Sequence, residues 1–171
     1  MYLPLIFLYA ICANGYAAKL PLVISTWAHS TFPNATQKAW EYLKSNGDQR
    51  LGALVEGLST CEALQCDHTV GYGGSPDETG ETTLDALVMD GSTHQIGAVG
   101  DLRQIKDVAR VAWAVMNFTE HSLLVGDQAM KFALEMGFTK SNLTTNVSIE
   151  MHQNWIRNNC QPNFWKVRNF L

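Results

Sequence analysis

The sequence predicts an α/β domain of the α+β kind, with helices layered on a sheet. Apolar residues recur at i, i+3, i+4 and i+7 in several windows, the spacing of one helix face. Two β-rich runs flank Asp90-Gly91, a hairpin signal. The 171 residues are 46% apolar and 16% charged, enough for one domain with a sizeable core and unlike a disordered chain.

The elements follow in order. "LPLVISTW" (20–27) is an apolar, β-rich run that predicts a strand ending at Trp27. In "NATQKAWEYLKSNG", Ala39, Trp40 and Leu43 share a helix face, and Asn46-Gly47 supplies the stop. In "DQRLGALVEGLSTCEALQC", Asp48 is placed to cap. Leu51, Leu54, Val55 and Leu58 form the stripe of that helix. "HTVGYG" (68–73) predicts a second strand, leading into the polar turn "GSPDETGET". "TLDALVMDG" and "THQIGAVG" predict the hairpin strands. Ile105, Val108, Ala109, Ala112, Val115 and Met116 predict a further helix, and "HSLLVG" a short strand. "DQAMKFALEMG" reads as a capped amphipathic helix ended by Gly137, and "SIEMHQNWIRN" as the last helix. Five strand candidates suit a single sheet. No repeat, linker or low-complexity segment interrupts them.

The first thirteen residues, "MYLPLIFLYAICA", are apolar or aromatic. The run is too short to span a membrane and fits the hydrophobic part of a secretory signal, cut after Ala17, although no Lys or Arg precedes it. The competing reading is a buried N-terminal strand or helix. We expect residues 1–17 to be a signal peptide, 18–171 the mature domain, and no membrane attachment after cleavage. Four acceptor patterns begin at Asn34, Asn117, Asn142 and Asn146, as expected of a secreted glycoprotein. Of four cysteines, Cys12 belongs to the signal. An oxidising compartment pairs Cys61 with Cys66 across a tight loop, worth about 2 kcal/mol in the chain-entropy model. The zinc alternative, Cys61, Cys66 and His68, lacks a fourth ligand and the two-pair spacing. Cys160 is left over.

A net charge of −4 with scattered Lys and Arg argues against nucleic-acid binding. The glycine-rich "GYGGSPDETG" precedes a strand, not a helix N-terminus, and has no accompanying Lys-Ser/Thr pair, so it does not read as a phosphate cradle. Gly71, Gly73 and Gly74 more simply allow positive φ or close approach. Asp77, Glu78 and Glu81 read as a solvated turn, and no motif places a nucleophile beside His68 or His121. Taken residue by residue, the chain is a secreted helix-and-sheet domain without an evident catalytic group, metal or cofactor.

"STWAHSTFPNATQKAWEYLKSNG", "CEALQCDHTVGYGGSPDETGETTLDALVMDG", "GAVGDLRQIKDVARVA" and "NCQPNFW" together resemble the glycosylasparaginase (aspartylglucosaminidase) family over residues 21–165. The resemblance implies the N-terminal part of an αββα sandwich of the N-terminal-nucleophile hydrolases. Such a precursor cuts itself before a threonine into α and β chains. The implied activity is hydrolysis of the N-acetylglucosamine–asparagine amide during lysosomal glycoprotein breakdown, without cofactor. Asp67-His68-Thr69-Val70-Gly71 is similar to the self-cleavage sequence, but its flanks are those of the α chain. Thr69 is therefore implied to be an active-site hydrogen-bonder, not the nucleophile. Trp27 matches the tryptophan that lines the substrate pocket; its alternative role is a core anchor. The resemblance further implies that the nucleophilic threonine belongs to a β-chain half beyond this sequence, and that Cys160 is one half of a disulfide whose partner also lies beyond it. On this reading the chain is an α-chain portion, inactive alone. The alternative is a non-catalytic secreted binding or structural protein that keeps the pocket wall.

Overall fold

In the computed structural model, the structure describes residues 21–28, 30–47, 49–69 and 71–158. The predicted signal peptide, Asp48 and Cys160 lie outside them. Among the described residues, five helices and three strands run in the order α1 (Phe32–Asn46), α2 (Arg50–Ala63), β1 (Leu84–Met89), β2 (Ile96–Leu102), α3 (Val108–Phe118), β3 (Leu123–Val125), α4 (Gly126–Glu135) and α5 (Asn146–Arg157). This is the mixed α/β class read from the sequence. None of these helices is long and apolar enough to cross a membrane.

The sheet is small and mixed. β1 and β2 pair antiparallel around the Asp90 turn, with Met89 opposite Ile96 and a bulge between Leu84 and Ala86. β3 adds to the other edge of β2 in parallel, Ala98 opposite Leu123. On one face Leu84, Val88, Val99 and Leu102 are buried against Val108, Val111, Ala112 and Val115 of α3. Gly97 lets α3 approach the sheet backbone: a Cβ there would stand 2.3 Å from the Ala112 carbonyl oxygen and 2.5 Å from the Met116 nitrogen. The helix stripe read from the sequence is this contact, extended by Ile105, which is fully buried just before α3.

The opposite face is open. Leu87, Met89, Ile96, Leu123 and Val125 all point to solvent, Leu87 at 57% and Leu123 at 55% exposure. The register sets Leu87, Ala98 and Leu123 in one row across the three strands. Such a face is unusual on a finished monomer, where scattered apolar residues are normal but contiguous ones mark an interaction surface.

α1 and α2 form an antiparallel pair through small residues. Ala35 and Ala39 of α1 are buried, and a Cβ on Gly57 of α2 would lie 3.0 Å from the Ala39 Cβ. Gly47, at φ 64°, ends α1. The stripe of α2 divides: Val55 enters the core, while Leu54 and Leu58 remain 40% exposed.

Several expectations are corrected. Residues 21–28 contain no strand; Leu22 and Ile24 are 72% and 76% exposed, because β-rich composition forms a strand only where a ladder partner exists. The described residues of the second predicted strand, 68, 69 and 71–73, are bends and turns. His68 at φ 59°, Gly71 at 85° and Gly73 at 74° break the extended path three times in six residues. No side chain caps α4. The last helix does carry a capping box: the Thr145 hydroxyl accepts from the Ser148 amide, and the Ser148 hydroxyl accepts from the Thr145 amide, a pairing that satisfies two otherwise orphaned N–H groups.

Candidate functional site

Trp27 and Thr69, far apart in sequence, line one cleft of about 410 Å³. Its walls are Trp27 and Phe32 at the start of α1, Leu58 and Glu62 of α2, the Asp67–Thr69 loop, and Asp85 and Leu87 of β1, with Val108 and Ala109 of α3 behind. Apolar walls with a few convergent polar groups are the usual make-up of a small-molecule site. Trp27 is half exposed, and its ring meets Phe32 at 5.7 Å between centroids, tilted by 44°. Ser25 pins the tryptophan backbone: its hydroxyl donates to the Trp27 carbonyl at 2.8 Å and accepts from the Trp27 amide at 3.3 Å. Trp27 is thus a wall of the cleft and not a core anchor.

The Thr69 hydroxyl donates to Asp67 Oδ1 at 2.8 Å, and the Thr69 amide donates to the same oxygen at 3.2 Å. The arrangement recurs in this chain: Asp77 takes the Thr79 amide and hydroxyl, and Asp90 those of Ser92. It is a local aspartate turn, so the bond alone does not mark Thr69 as an activated nucleophile. The loop around Thr69 is nonetheless firmly held. His68 Nδ1 lies 3.2 Å from the Gly73 carbonyl oxygen, the Gly73 amide donates to the Leu143 carbonyl at 2.8 Å, and the Lys106 ammonium stands 3.5 Å over the Tyr72 ring.

A Cys61–Cys66 disulfide anchors the start of the loop to the end of α2, with Cα atoms 5.2 Å apart. With both sulfurs in one bond, neither can serve as a thiolate ligand, and the zinc alternative falls. Two carboxylates of the polar turn, Asp77 and Glu81, are structural. Asp77 accepts from Thr79 and from the Glu81 amide at 3.0 Å; Glu81 pairs with Arg103, which also holds Asp101. His121 is exposed beside the cap of α3.

Burial pushes the Asp77 carboxyl up, but the Thr79 hydroxyl and the Glu81 and Thr79 amides outweigh it and hold its pKa below the ordinary value. A depressed folded pKa gives stability that is present above the unfolded pKa and lost as pH falls through the folded one. Asp77→Asn is therefore expected to flatten the acid limb of stability against pH, measured as the urea midpoint. An unchanged limb would show that the turn does not depend on the charge.

Sequence reasoning missed Glu62. It is 9% exposed, and its two carboxylate oxygens accept the amides of Asp107 and Val108 at 2.8 and 2.9 Å. These are N–H groups at the start of α3, where no preceding turn supplies acceptors. Asp107, the residue before that helix, has its own side chain occupied elsewhere, by the Ser59 hydroxyl and by Arg110, which also reaches Glu56. A signal for Glu62 was present: it falls at the next step of the stripe Leu51, Val55, Leu58, a carboxylate where an apolar residue is due.

The helix-on-sheet layers and an aromatic-walled cleft describe a small-molecule-sized pocket on an α/β scaffold. Residues 5–170 match the family model described as asparaginase, and the chain belongs to that family. It is 54% identical over 147 residues to the N(4)-(beta-N-acetylglucosaminyl)-L-asparaginase of Rattus norvegicus, covering 86% of this chain and 41% of that protein. The corresponding figures for the Mus musculus protein of that name are 53% over 150 residues, 88% and 42%. For a putative N(4)-(beta-N-acetylglucosaminyl)-L-asparaginase of Drosophila melanogaster they are 56% over 161 residues, 92% and 40%. The chain thus spans about two fifths of the length of these relatives.

Proposed function

We propose that this chain is the α-chain portion of an amidohydrolase that cleaves the bond between N-acetylglucosamine and asparagine, and that it forms the Trp27–Thr69 wall of the substrate cleft. The observation that carries the reading is the meeting of these two residues in one cleft, in a chain more than half identical to proteins named for that activity. In this proposal the nucleophilic threonine comes from a β-chain half matching the remaining length of the relatives. Trp27 packs against the substrate, and Thr69, steadied by Asp67, offers a hydroxyl to it. The open sheet face supports such a partner, since an αββα sandwich lays a second sheet there. No residue of this chain is assigned the nucleophilic step, so the chain alone is inactive.

The test is to co-express residues 18–171 with the remaining segment of a relative and measure aspartate release from a glycosylasparagine. Turnover by the pair and none by either piece is expected. Turnover by this chain alone would overturn the placement of the nucleophile. A soluble pair without turnover would favour the alternative, a non-catalytic binding or structural protein of the same family.

We also propose a secretory route, ending in the lysosome or outside the cell. The disulfide and four exposed acceptor asparagines support it; Asn34 stands at the start of α1 and Asn142 and Asn146 flank the start of α5. The Asn117 amide is engaged, donating to the Trp113 carbonyl at 2.7 Å. Chain expressed in a secretory host is expected to begin near Ala18 and carry sugar on Asn34, read by N-terminal sequencing and glycopeptide mapping. An intact Met1 on sugar-free protein would sink the route.

A further inference from the structure

Glu62 is an expensive residue to keep where it is. A carboxylate taken from water loses solvation that only hydrogen bonds and neighbouring charge restore. Here both oxygens are occupied by backbone amides at the positive end of α3, a favourable place for an anion. The rest of the side chain has a second contact. A Cβ added to Gly71 would meet Glu62 Cγ at 3.0 Å, so the Glu62 methylenes lie directly against the backbone that closes the Thr69 loop. The residue also sits inside the ring closed by Cys61 and Cys66, and it lines the same cleft as Trp27 and Thr69.

We propose that Glu62 is the positioning residue of the cleft: its carboxylate fixes the first turn of α3 while its methylenes fix the loop at Gly71, so that Thr69 is held relative to the cleft floor. The inference rests on reading this cleft as the functional site. The two contacts couple the start of α3 to the Gly71 backbone, beside the Lys106–Tyr72 contact that joins the same two segments. On one side are Val108 and Ala109, the floor; on the other are Asp67 and Thr69, the rim. Losing the carboxylate frees both together.

The charged groups around Glu62 decide how it titrates. From the start of α3 come Asp107 and Lys106; Arg110 pairs with Asp107 and with Glu56; Asp67 and Asp85 share the cleft. Burial pushes the Glu62 carboxyl up, while the amides of Asp107 and Val108 pull it down; Asp107 adds to the rise and Lys106 offsets it, leaving the pKa above its ordinary value. Protonation of Glu62 as pH falls through that raised pKa withdraws one acceptor from the helix end. The variant Glu62→Gln reproduces this acid form at every pH.

Two measurements test the proposal. In the full chain at sub-micromolar concentration, Glu62→Gln is expected to speed amide exchange about tenfold both in residues 105–112 and in residues 66–73, with the hairpin unchanged. Gly71→Ala, which strains a φ of +85° and presses on Glu62 Cγ, is expected to speed the same two segments. Faster exchange confined to residues 105–112 would reduce Glu62 to a helix cap and overturn the proposal. In the assembled pair, Glu62→Gln is expected to lower kcat about tenfold or more with little change in KM, and to remove the acid limb that Glu62 contributes to the wild-type kcat profile. An unaltered kcat and pH profile would also overturn it. A wild-type pair without turnover refutes the hydrolase reading alone, and the exchange measurement still decides the role of Glu62.

Discussion

Purified by itself, the chain is expected to self-associate at micromolar concentration, and substitution on the open sheet face is expected to suppress this. The row Leu87, Ala98 and Leu123, with Met89, Ile96 and Val125 around it, forms an apolar surface on three strands. Each Å² left in water forgoes about 25 cal/mol of stabilisation, and a partner surface recovers it. The strand edges add to the tendency. β3 has only three residues and pairs with β2 on one side, and an unpaired edge is a template for another chain. Leu87→Lys with Leu123→Lys places two charges in the middle of the face, each more than half exposed in the parent, so neither should disturb the buried side. Sedimentation velocity is the measurement. Association unchanged by the double substitution would place the sticky surface elsewhere, the exposed α2 residues Leu54 and Leu58 being next. Association abolished by adding the proposed β-chain half would identify its occupant.

The largest effect of a single substitution on stability is expected at Gly97. Alanine there brings one methyl carbon within 2.6 Å of three α3 atoms, two of them backbone. A flexible side chain can turn aside; a helix backbone can only move as a body, and α3 is buried along its length by Val108, Val111, Ala112 and Val115. Overpacking usually costs about 1–3 kcal/mol, and rigid contacts lie at or above the upper end. Gly97→Ala is thus expected to lose about 3 kcal/mol or to unfold the chain. Gly91, with nothing within 4 Å of an added Cβ, is the control and should lose almost nothing. Chemical denaturation of both variants tests the pair. Equal midpoints would mean that α3 does not sit as close to β2 as described.

Much of this fold was legible because its signals are local. The apolar stripe from Ile105 to Met116 needs only helix periodicity, and the hairpin needs only Asp90-Gly91 between β-rich runs. Residues 20–27 and 68–73 were misread because apolar, β-branched composition is necessary for a strand and not sufficient. The first needs a ladder partner, which no local pattern announces. The second holds glycines at 71 and 73, both of which take left-handed φ, and two glycines in so short a run were a readable warning. The cleft was legible only through resemblance: nothing in the spacing of Trp27 and Thr69 brings them together. Glu62 was missed because its partners are backbone amides 45 and 46 residues away, and backbone groups leave no mark in a sequence.

The hydroxyl of Ser148 has a consequence in time. In the folded chain it is fully buried, donating to the Gly74 carbonyl at 2.9 Å as well as serving the capping box. The same hydroxyl completes the acceptor pattern that starts at Asn146, and an attaching enzyme must read asparagine and hydroxyl together on an accessible chain. Under the proposed secretory route, folding of the last helix and modification of its first residue would therefore compete for one oxygen. Whichever is faster wins: sugar on Asn146 records that the enzyme arrived before the helix closed, and bare Asn146 records that it came too late. Occupancy at this position, compared between slow and fast folding conditions in the cell, is in effect a clock for the closing of that helix.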